Sequence, residues 1–262
     1  MTVAPPRLSA VIVELDWKLG LALALLVLVA VISSRWGRLG LGWQSIIAAA
    51  RAAVQLAAVS LIIVACMQHL ALAALFSLAM FAVAVRTTAG RTKVGGAWPW
   101  TALAMLCGIT PVLLAIFGSG ASPLNGAALI PLAGIIVGNM MTAHTLFGRR
   151  QFPALRDGLG QYEAALSLGF PRDRAIDLVT RATRTDALVP TIDTTRTVAL
   201  VTLPGAFVGV LLGGGSALQA GASQLLVLVG IMAGQSVTVV VANKLMCSGK
   251  LLPDDLRRRL RP

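Results

Sequence analysis

Seven long apolar runs constrain the fold of this chain more than any other feature of its sequence. The runs are residues 17–34, 44–66, 70–85, 98–117, 125–147, 197–212 and 223–243. A transmembrane helix needs roughly 20 predominantly apolar residues. None of the seven runs contains an acidic residue, and Arg51 is the only base in the interior of one. We therefore expect an all-α integral membrane protein with seven transmembrane helices.

The composition agrees with this fold class. Hydrophobic residues make up 57% of the 262 residues and charged residues only 12%, against about a quarter charged in soluble domains. A net charge of +12 would suggest nucleic-acid binding in a soluble protein, but here the bases flank the apolar runs. We expect one polytopic domain over residues 1–262, multi-pass in the cell (inner) membrane, surrounded by lipid and with no nucleic-acid partner.

The basic residues also predict an orientation. Nineteen of the 22 lie in alternate connectors, residues 35–43, 86–97, 148–196 and 244–262. The opposite connectors, 67–69, 118–124 and 213–222, carry no charged residue, and Arg7 and Lys18 lie before or at the start of the first run. Cytoplasmic loops carry the excess of Lys and Arg. We therefore expect an N-out, C-in topology, with a cytoplasmic segment at 148–196 between helices 5 and 6 and a basic cytoplasmic tail at 244–262.

The polar segment contains a short helix–glycine–helix elbow. Alanine-rich helix formers follow Glu163, the helix is expected to end at Gly169, and Pro171 is expected to open a second helix over 173–183. Such an elbow is typical of a docking surface for another protein. It could equally be an amphipathic loop held on the anionic inner leaflet by its arginines.

Two prolines interrupt the later apolar runs. Pro131 lies early in the fifth run and Pro204 in the middle of the sixth. Broken helices in membranes face protein or water, so these two runs are the best candidates to line a path. Glycines at four-residue spacing, such as Gly230 and Gly234, indicate close helix packing within the chain or between subunits.

The second run carries Arg51 and Gln55, one helical turn apart. Arg51 lies about seven residues into the run, hence roughly 10 Å deep at 1.5 Å per residue. Its long side chain could reach back to the membrane interface. The alternative is a buried contact, either with the fifth run or with an anionic part of a substrate.

The fifth run carries a small group of polar and soft residues. Asn139 and Thr142 share one helical face, and Met141 and His144 share another. Thioether and imidazole groups suit soft or borderline metals. Packing with one helix–helix hydrogen bond is the alternative interpretation of a histidine in a membrane helix.

Several motifs are absent from the sequence. There is no Gly-x4-Gly-Lys-[Ser/Thr] nucleotide loop, since Ser248-Gly249-Lys250-Leu251 lacks both the upstream glycine and the hydroxyl. There is no His-Glu-x-x-His or Gly-x-Ser-x-Gly motif. Without an acid in its apolar runs, the chain is also a poor candidate for a proton-coupled carrier. We expect a chain that is not an enzyme and that holds no cofactor of its own.

The chain resembles the integral-membrane subunit of the Fet-type iron-export ABC transporters, the family that includes the membrane subunit of plant aluminium tolerance. The resemblance covers nearly the whole chain and is densest in its second half. The matching stretches are residues 50–56, 131–141, 163–169, 188–198 and 203–206. The elbow also resembles the Glu-Ala-Ala-x3-Gly coupling motif of ABC importers, at Glu163, Ala164, Ala165 and Gly169. The sequence departs from that pattern downstream, at residues 179–182.

The resemblance implies an ABC permease subunit that works as a homodimer of this chain. A separate ABC-type ATP-binding subunit, which binds ATP and Mg²⁺, would supply the energy, and the cargo would be iron or a related metal exported from the cytoplasm. A bare cation would find no carboxylate in the apolar runs. It would need neutral ligands such as Asn139, Met141 and His144, or else the cargo is a chelate or another neutral or anionic molecule. The alternative class is a passive channel or a membrane sensor.

Overall fold

The protein is described by a computed structural model covering residues 16–198, 200–201 and 203–260. Predictions that involve Arg7, Arg261 or the two ends of the chain lie outside these residues. The described chain is helical, with α-helices in the order α1 Trp17–Trp36, α2 Gly42–Gln68, α3 Leu70–Thr92, α4 Trp98–Gly118, α5 Gly126–Asp157, α6 Leu159–Ser167, α7 Arg172–Thr180, α8 Val189–Thr197, α9 Gly205–Leu212, α10 Ala217–Cys247 and α11 Asp254–Arg259. Short 3₁₀ helices at Gly95–Ala97 and Arg181–Ala187 complete the set.

Six of these helices are long and apolar enough to cross a membrane: α1, α2, α3, α4, α5 and α10. The chain divides into two compact units, Met1–Ala65 and Cys66–Pro262. In the first unit, α1 buries only Ser34 and α2 buries no residue. Ser34 Oγ accepts a hydrogen bond from the Leu41 amide at 3.0 Å, across the turn between the two helices. Their long apolar surfaces are suited to contact with lipid or with other protein.

In the second unit, α3, α4, α5 and α10 pack together, with α5 between α3 and α10. Helices α4 and α10 cross at glycines, and a Cβ atom on Gly234 would lie 2.9 Å from the carbonyl oxygen of Gly108. At the same crossing, Thr238 Oγ1 donates to the sulfur of Met140 at 3.2 Å. Gly234, predicted from its spacing to be a packing glycine, therefore serves a contact within the chain.

The sixth predicted span, residues 197–212, is not a continuous helix. Helix α8 ends at Thr197, and α9 begins at Gly205 with Pro204 as its N-cap. The eight residues of α9 reach about 12 Å at 1.5 Å per residue, less than half the roughly 30 Å core of a bilayer. Proline lacks the amide proton that would continue the helix, which accounts for the start of α9 directly after Pro204.

Pro131 behaves differently from Pro204. Although the sequence predicted an interruption there, α5 runs unbroken from Gly126 to Asp157 with Pro131 inside it. The proline costs the helix one backbone hydrogen bond near its start. Packing of α5 against its neighbours on both sides makes that loss tolerable.

The segment after α5 folds back onto the ends of the long helices. A hydrophobic cluster joins α5, α6, α7, α10 and α11 through large buried side chains, including Phe147, Leu155, Tyr162, Ile176 and Leu252. The polar segment is thus a packed helical layer with its own core. This layer holds the elbow in a fixed position against α5 and α10.

Candidate functional site: the elbow and its connection to the long helices

The elbow has the turn that its sequence predicts. Helix α6 ends at Ser167, Gly169 adopts a left-handed conformation with φ +84°, and Pro171 is the N-cap of α7. The amide of Phe170 donates to Ala165 O at 3.1 Å and that of Gly169 to Leu166 O at 2.9 Å. This is the Schellman pattern, in which glycine suits the left-handed position because it has no Cβ atom to clash with the backbone. The second helix is shorter than predicted, because α7 gives way to the 3₁₀ helix after Thr180.

The two faces of the elbow differ in character. Tyr162, Ala165, Ala175 and Ile176 are buried in the hydrophobic cluster. Of the predicted coupling residues, Glu163, Ala164 and Gly169 are exposed, whereas Ala165 is buried. Ala165 therefore serves packing, while the other three are available to a partner.

Large apolar side chains are exposed around the turn. Leu168 is 78%, Phe170 42% and Leu178 54% exposed. We call these three residues the apolar tip. Exposed apolar groups grouped on a rigid support are characteristic of interaction sites.

A hydrogen bond and an exposed ion pair that the sequence did not reveal connect the segment to the long helices. Arg184 pairs with Asp177, which also accepts a hydrogen bond from Asn243 Nδ2 of α10 at 3.4 Å. On α5, Arg150 Nε lies 3.8 Å from Asp186 Oδ2, which connects that helix to the 3₁₀ helix at Arg181–Ala187. One of the arginines that could have held the elbow on a lipid surface, Arg184, is therefore paired within the protein.

A chain of hydrogen bonds links α8, α10 and α5. The Thr191 hydroxyl donates to Gln235 Oε1, and Gln235 Nε2 donates to the backbone carbonyl of Asn139 at 3.1 Å. Gln235 is buried. We call Thr191, Gln235 and Asn139 the polar chain. The sequence feature that could have indicated the polar chain is Gln235, an amide side chain in the middle of the last apolar run.

The predicted path residues of α5 are close together but face different surroundings. Asn139 Nδ2 donates to Ile135 O at 2.8 Å, and the exposed Thr142 donates through Oγ1 to Gly138 O at 3.0 Å. Both side chains thus bond to their own helix. Pro204, the path residue predicted on the sixth run, is half-buried at the start of α9.

His144 is completely buried, with no hydrogen-bond partner for either ring nitrogen among the described residues. Met141, the other predicted metal ligand, is half-buried, whereas its neighbour Met140 packs into the core. No group of three or more His, Cys, Asp or Glu side chains that could hold a metal ion occurs in the described ranges. The His144 ring meets the ring of Phe147 edge to face, with the ring centroids 6.4 Å apart.

Arg51 and Gln55 lie in the first unit, one turn apart on α2, and both are exposed. Neither side chain makes a hydrogen bond or a salt bridge to a described residue. The structure keeps the pair together on one helical face. The compact unit that contains Arg51 and Gln55 is not the unit that contains α5.

The fold and the elbow together define a multi-pass helical membrane protein that carries a packed polar layer at one end of its long helices. The chain belongs to the family described as an uncharacterised protein family (UPF0014), whose model matches residues 17–250. This match confirms the membership indicated by the sequence resemblance.

Named relatives come from plants and bacteria. The chain is 31% identical over 144 residues to "UPF0014 membrane protein STAR2" of Oryza sativa subsp. japonica, covering 55% of this chain and 50% of the relative. It is 31% identical over 146 residues to "Protein ALUMINUM SENSITIVE 3" of Arabidopsis thaliana, covering 55% and 53%. It is 30% identical over 141 residues to "Probable iron export permease protein FetB" of Escherichia coli (strain K12), covering 54% of each. The chain spans about half the length of the curated relatives it matches, and no solved structure matches it.

Proposed function

We propose that this chain is the membrane permease subunit of an ABC transporter that exports iron, or a related metal or its chelate, from the cytoplasm. The observation that carries the proposal is the elbow, which presents the apolar tip and Glu163 on a rigidly packed helical turn. The similarity to the Escherichia coli relative called "Probable iron export permease protein FetB" supports the cargo and the direction. A homodimer of this chain would work with two copies of a separate ATP-binding subunit, which binds ATP and Mg²⁺.

The surface of the elbow favours protein docking over adhesion to lipid. An amphipathic helix lying on a membrane needs an apolar stripe along its length with bases beside it. Here the exposed apolar groups are the three side chains of the apolar tip, the exposed acids Glu163 and Asp173 lie near the turn in sequence, and the exposed bases Arg174 and Arg181 lie beside Phe170 and Leu178. Anionic headgroups would repel both carboxylates. A protein groove with complementary charge would accept them.

The polar chain offers a route from the elbow to the membrane. Closure of the ATP-binding subunits would displace the elbow layer, and α8 is part of that segment. Thr191 on α8 bonds to Gln235, and Gln235 bonds to the backbone of α5. A displacement of α8 would therefore act on α5 and α10 at the level of Asn139, where we place the path.

The proposed topology is N-out and C-in. The elbow would then face the cytoplasm, where ATP is available. We propose that residues 197–212 make the sixth of seven crossings in a broken form, with α9 as a half-helix that begins after Pro204. Half-helices in transporters end near the substrate site, where their unpaired backbone groups can meet cargo.

The test is to look for a gene for a Walker-type ATPase beside that of this chain and to co-purify its product with the chain, followed by an ATPase assay. We expect the pair to copurify, and Leu168→Glu with Phe170→Glu to abolish both the association and any stimulation of ATP hydrolysis. The matched control is Thr185→Glu with Val189→Glu, which places the same charges on exposed positions of the polar segment outside the apolar tip. Normal stimulation with the elbow variant would refute docking at the apolar tip.

A further inference from the structure

A concave site lies near the ends of α3 and α5, and it shares no residue with the elbow or the polar chain. It is a pocket of about 420 Å³ whose charged lining is Arg91, Lys93, Arg149, Arg156 and Asp255. Phe152, which is buried, forms part of its wall. We call it the basic pocket.

The backbone places these bases around one concavity. Lys93 ends α3 in a left-handed conformation with φ +59°. Gly148 lets α5 approach the end of α3 closely, because a Cβ atom there would lie 2.6 Å from Thr92 Cγ2. The close approach brings Arg91 and Lys93 next to Arg149 of α5.

The pocket has a surplus of positive charge. Arg156 is held by Asp255 in a two-point contact, with Nε–Oδ2 at 2.7 Å and Nη2–Oδ1 at 3.1 Å. This contact holds the pKa of the Asp255 carboxyl below its ordinary value, so the pair is charged but internally neutral. Arg91, Lys93 and Arg149 are exposed and form no salt bridge with any described acidic residue. Three cations without an ion-pair partner around one pocket favour the binding of an anion there.

The position of the pocket indicates where that anion comes from. Arg91 and Lys93 close the last turn of the membrane-length helix α3, and Arg149 comes two residues after the end of the fifth apolar run. Bases at the ends of membrane helices lie at the level of the lipid headgroups. Helix α3 also exposes Leu75, Leu78 and Val83 along its apolar length, a surface suited to acyl chains. We propose that the basic pocket binds the phosphodiester headgroup of an anionic phospholipid.

This proposal requires only that the ends of α3 and α5 lie at the edge of the bilayer. It is independent of the ATPase partner and of the cargo. A phosphate group held by two arginines and a lysine is a strong charge-assisted contact. Such a lipid would hold the end of α3 against α5 at the foot of the long helices.

The experiment is native mass spectrometry of the purified full chain, titrated with dioleoylphosphatidylglycerol or dioleoylphosphatidylcholine. We expect a saturable adduct with the glycerol lipid and none with the choline lipid at equal concentration. Arg91→Gln, Lys93→Gln and Arg149→Gln together should weaken the phosphatidylglycerol adduct at least tenfold, since each base near an anionic surface contributes about a factor of five. Asp255→Asn frees Arg156 and should keep or strengthen the adduct.

The matched control carries Arg257→Gln, Arg258→Gln and Arg259→Gln, which removes the same charge from exposed positions of α11. It should weaken the adduct less than threefold. Size-exclusion profiles and helical circular dichroism verify that the variants fold. An equal loss in both triple variants, equal binding of the choline lipid, or displacement of the glycerol lipid by equimolar inorganic phosphate would each overturn the proposal.

Discussion

Gly169 is the residue on which the shape of the elbow most directly depends. Its φ of +84° lies in the left-handed region, and there is open space around the position where a Cβ would be built. A side chain there is therefore opposed by backbone conformation and not by a neighbour. The cost of a left-handed non-glycine residue is roughly 1–2 kcal/mol, enough to shift the turn without unfolding the protein.

We predict that Gly169→Val leaves the chain inserted and folded but lowers its stimulation of the partner ATPase several-fold. The control is Gly160→Val on α6, where a Cβ also meets open space but φ is ordinary. ATPase assays of the two variants at equal expression measure the difference. Equal activity in both would show that the geometry of the turn is irrelevant to coupling.

The cargo can be examined through two sets of residues. If a metal passes His144 and Met141, His144→Ala with Met141→Leu should abolish metal efflux, because few other soft donors are available there. Arg51→Gln should then have little effect or even help, since it removes a positive charge. If the cargo is an anionic chelate, Arg51→Gln should abolish efflux and the His144–Met141 variant should have little effect. The reason is that Arg51 is the only base in the interior of an apolar run.

Efflux from cells loaded with iron, measured side by side for the two variants at equal expression, separates these alternatives. We expect loss of efflux in His144→Ala with Met141→Leu and little change in Arg51→Gln. Normal efflux in both variants would place the path elsewhere.

At the scale of the helices, the polar chain is one of the contacts that join the elbow layer to the membrane helices. We predict that Gln235→Ala uncouples ATP hydrolysis from transport while the complex still assembles. Its removal takes away the two hydrogen bonds that connect α10 to α8 and to α5, each worth about 0.5–1.5 kcal/mol. Ser236→Ala is the control, because the Ser236 hydroxyl bonds only to Met232 of its own helix. Transport that stays coupled in Gln235→Ala would exclude this route.

The elements that the sequence predicted well are those with local signals. Gly169 and Pro171 mark the elbow by their backbone preferences, and six of the seven predicted spans correspond to long helices. What escaped prediction depends on contacts distant in sequence. Thr191 meets Gln235 across 44 positions and Gln235 meets Asn139 across 96. Likewise, nothing local distinguishes Arg184, which pairs with Asp177, from the exposed Arg174 and Arg181.

At the scale of the whole molecule, the proposed orientation is testable with reporters. The asymmetry of the basic residues predicts that a reporter inserted at Ser167 reports the cytoplasm and one inserted within 213–222 reports the outside. A reporter fused after Pro262 should agree with the first. Ser167 and Pro262 on opposite sides, or Ser167 outside, would contradict both the topology and the coupling role.

The central claim is that a partner ATPase drives cargo through this chain by way of the elbow. The most direct measurement is ATP-dependent accumulation of Fe²⁺ in proteoliposomes that hold this chain and its partner ATPase. ATP is supplied outside, so that only complexes inserted inside-out, with the ATPase on the outer surface, are active. We predict accumulation that requires ATP and Mg²⁺ and that is lost in Glu163→Arg at equal incorporation, because the exposed Glu163 lies on the face of the elbow where we propose that the ATPase docks. Fe²⁺ flux that proceeds at the same rate without ATP, or unchanged in Glu163→Arg, would contradict the account and indicate a passive channel.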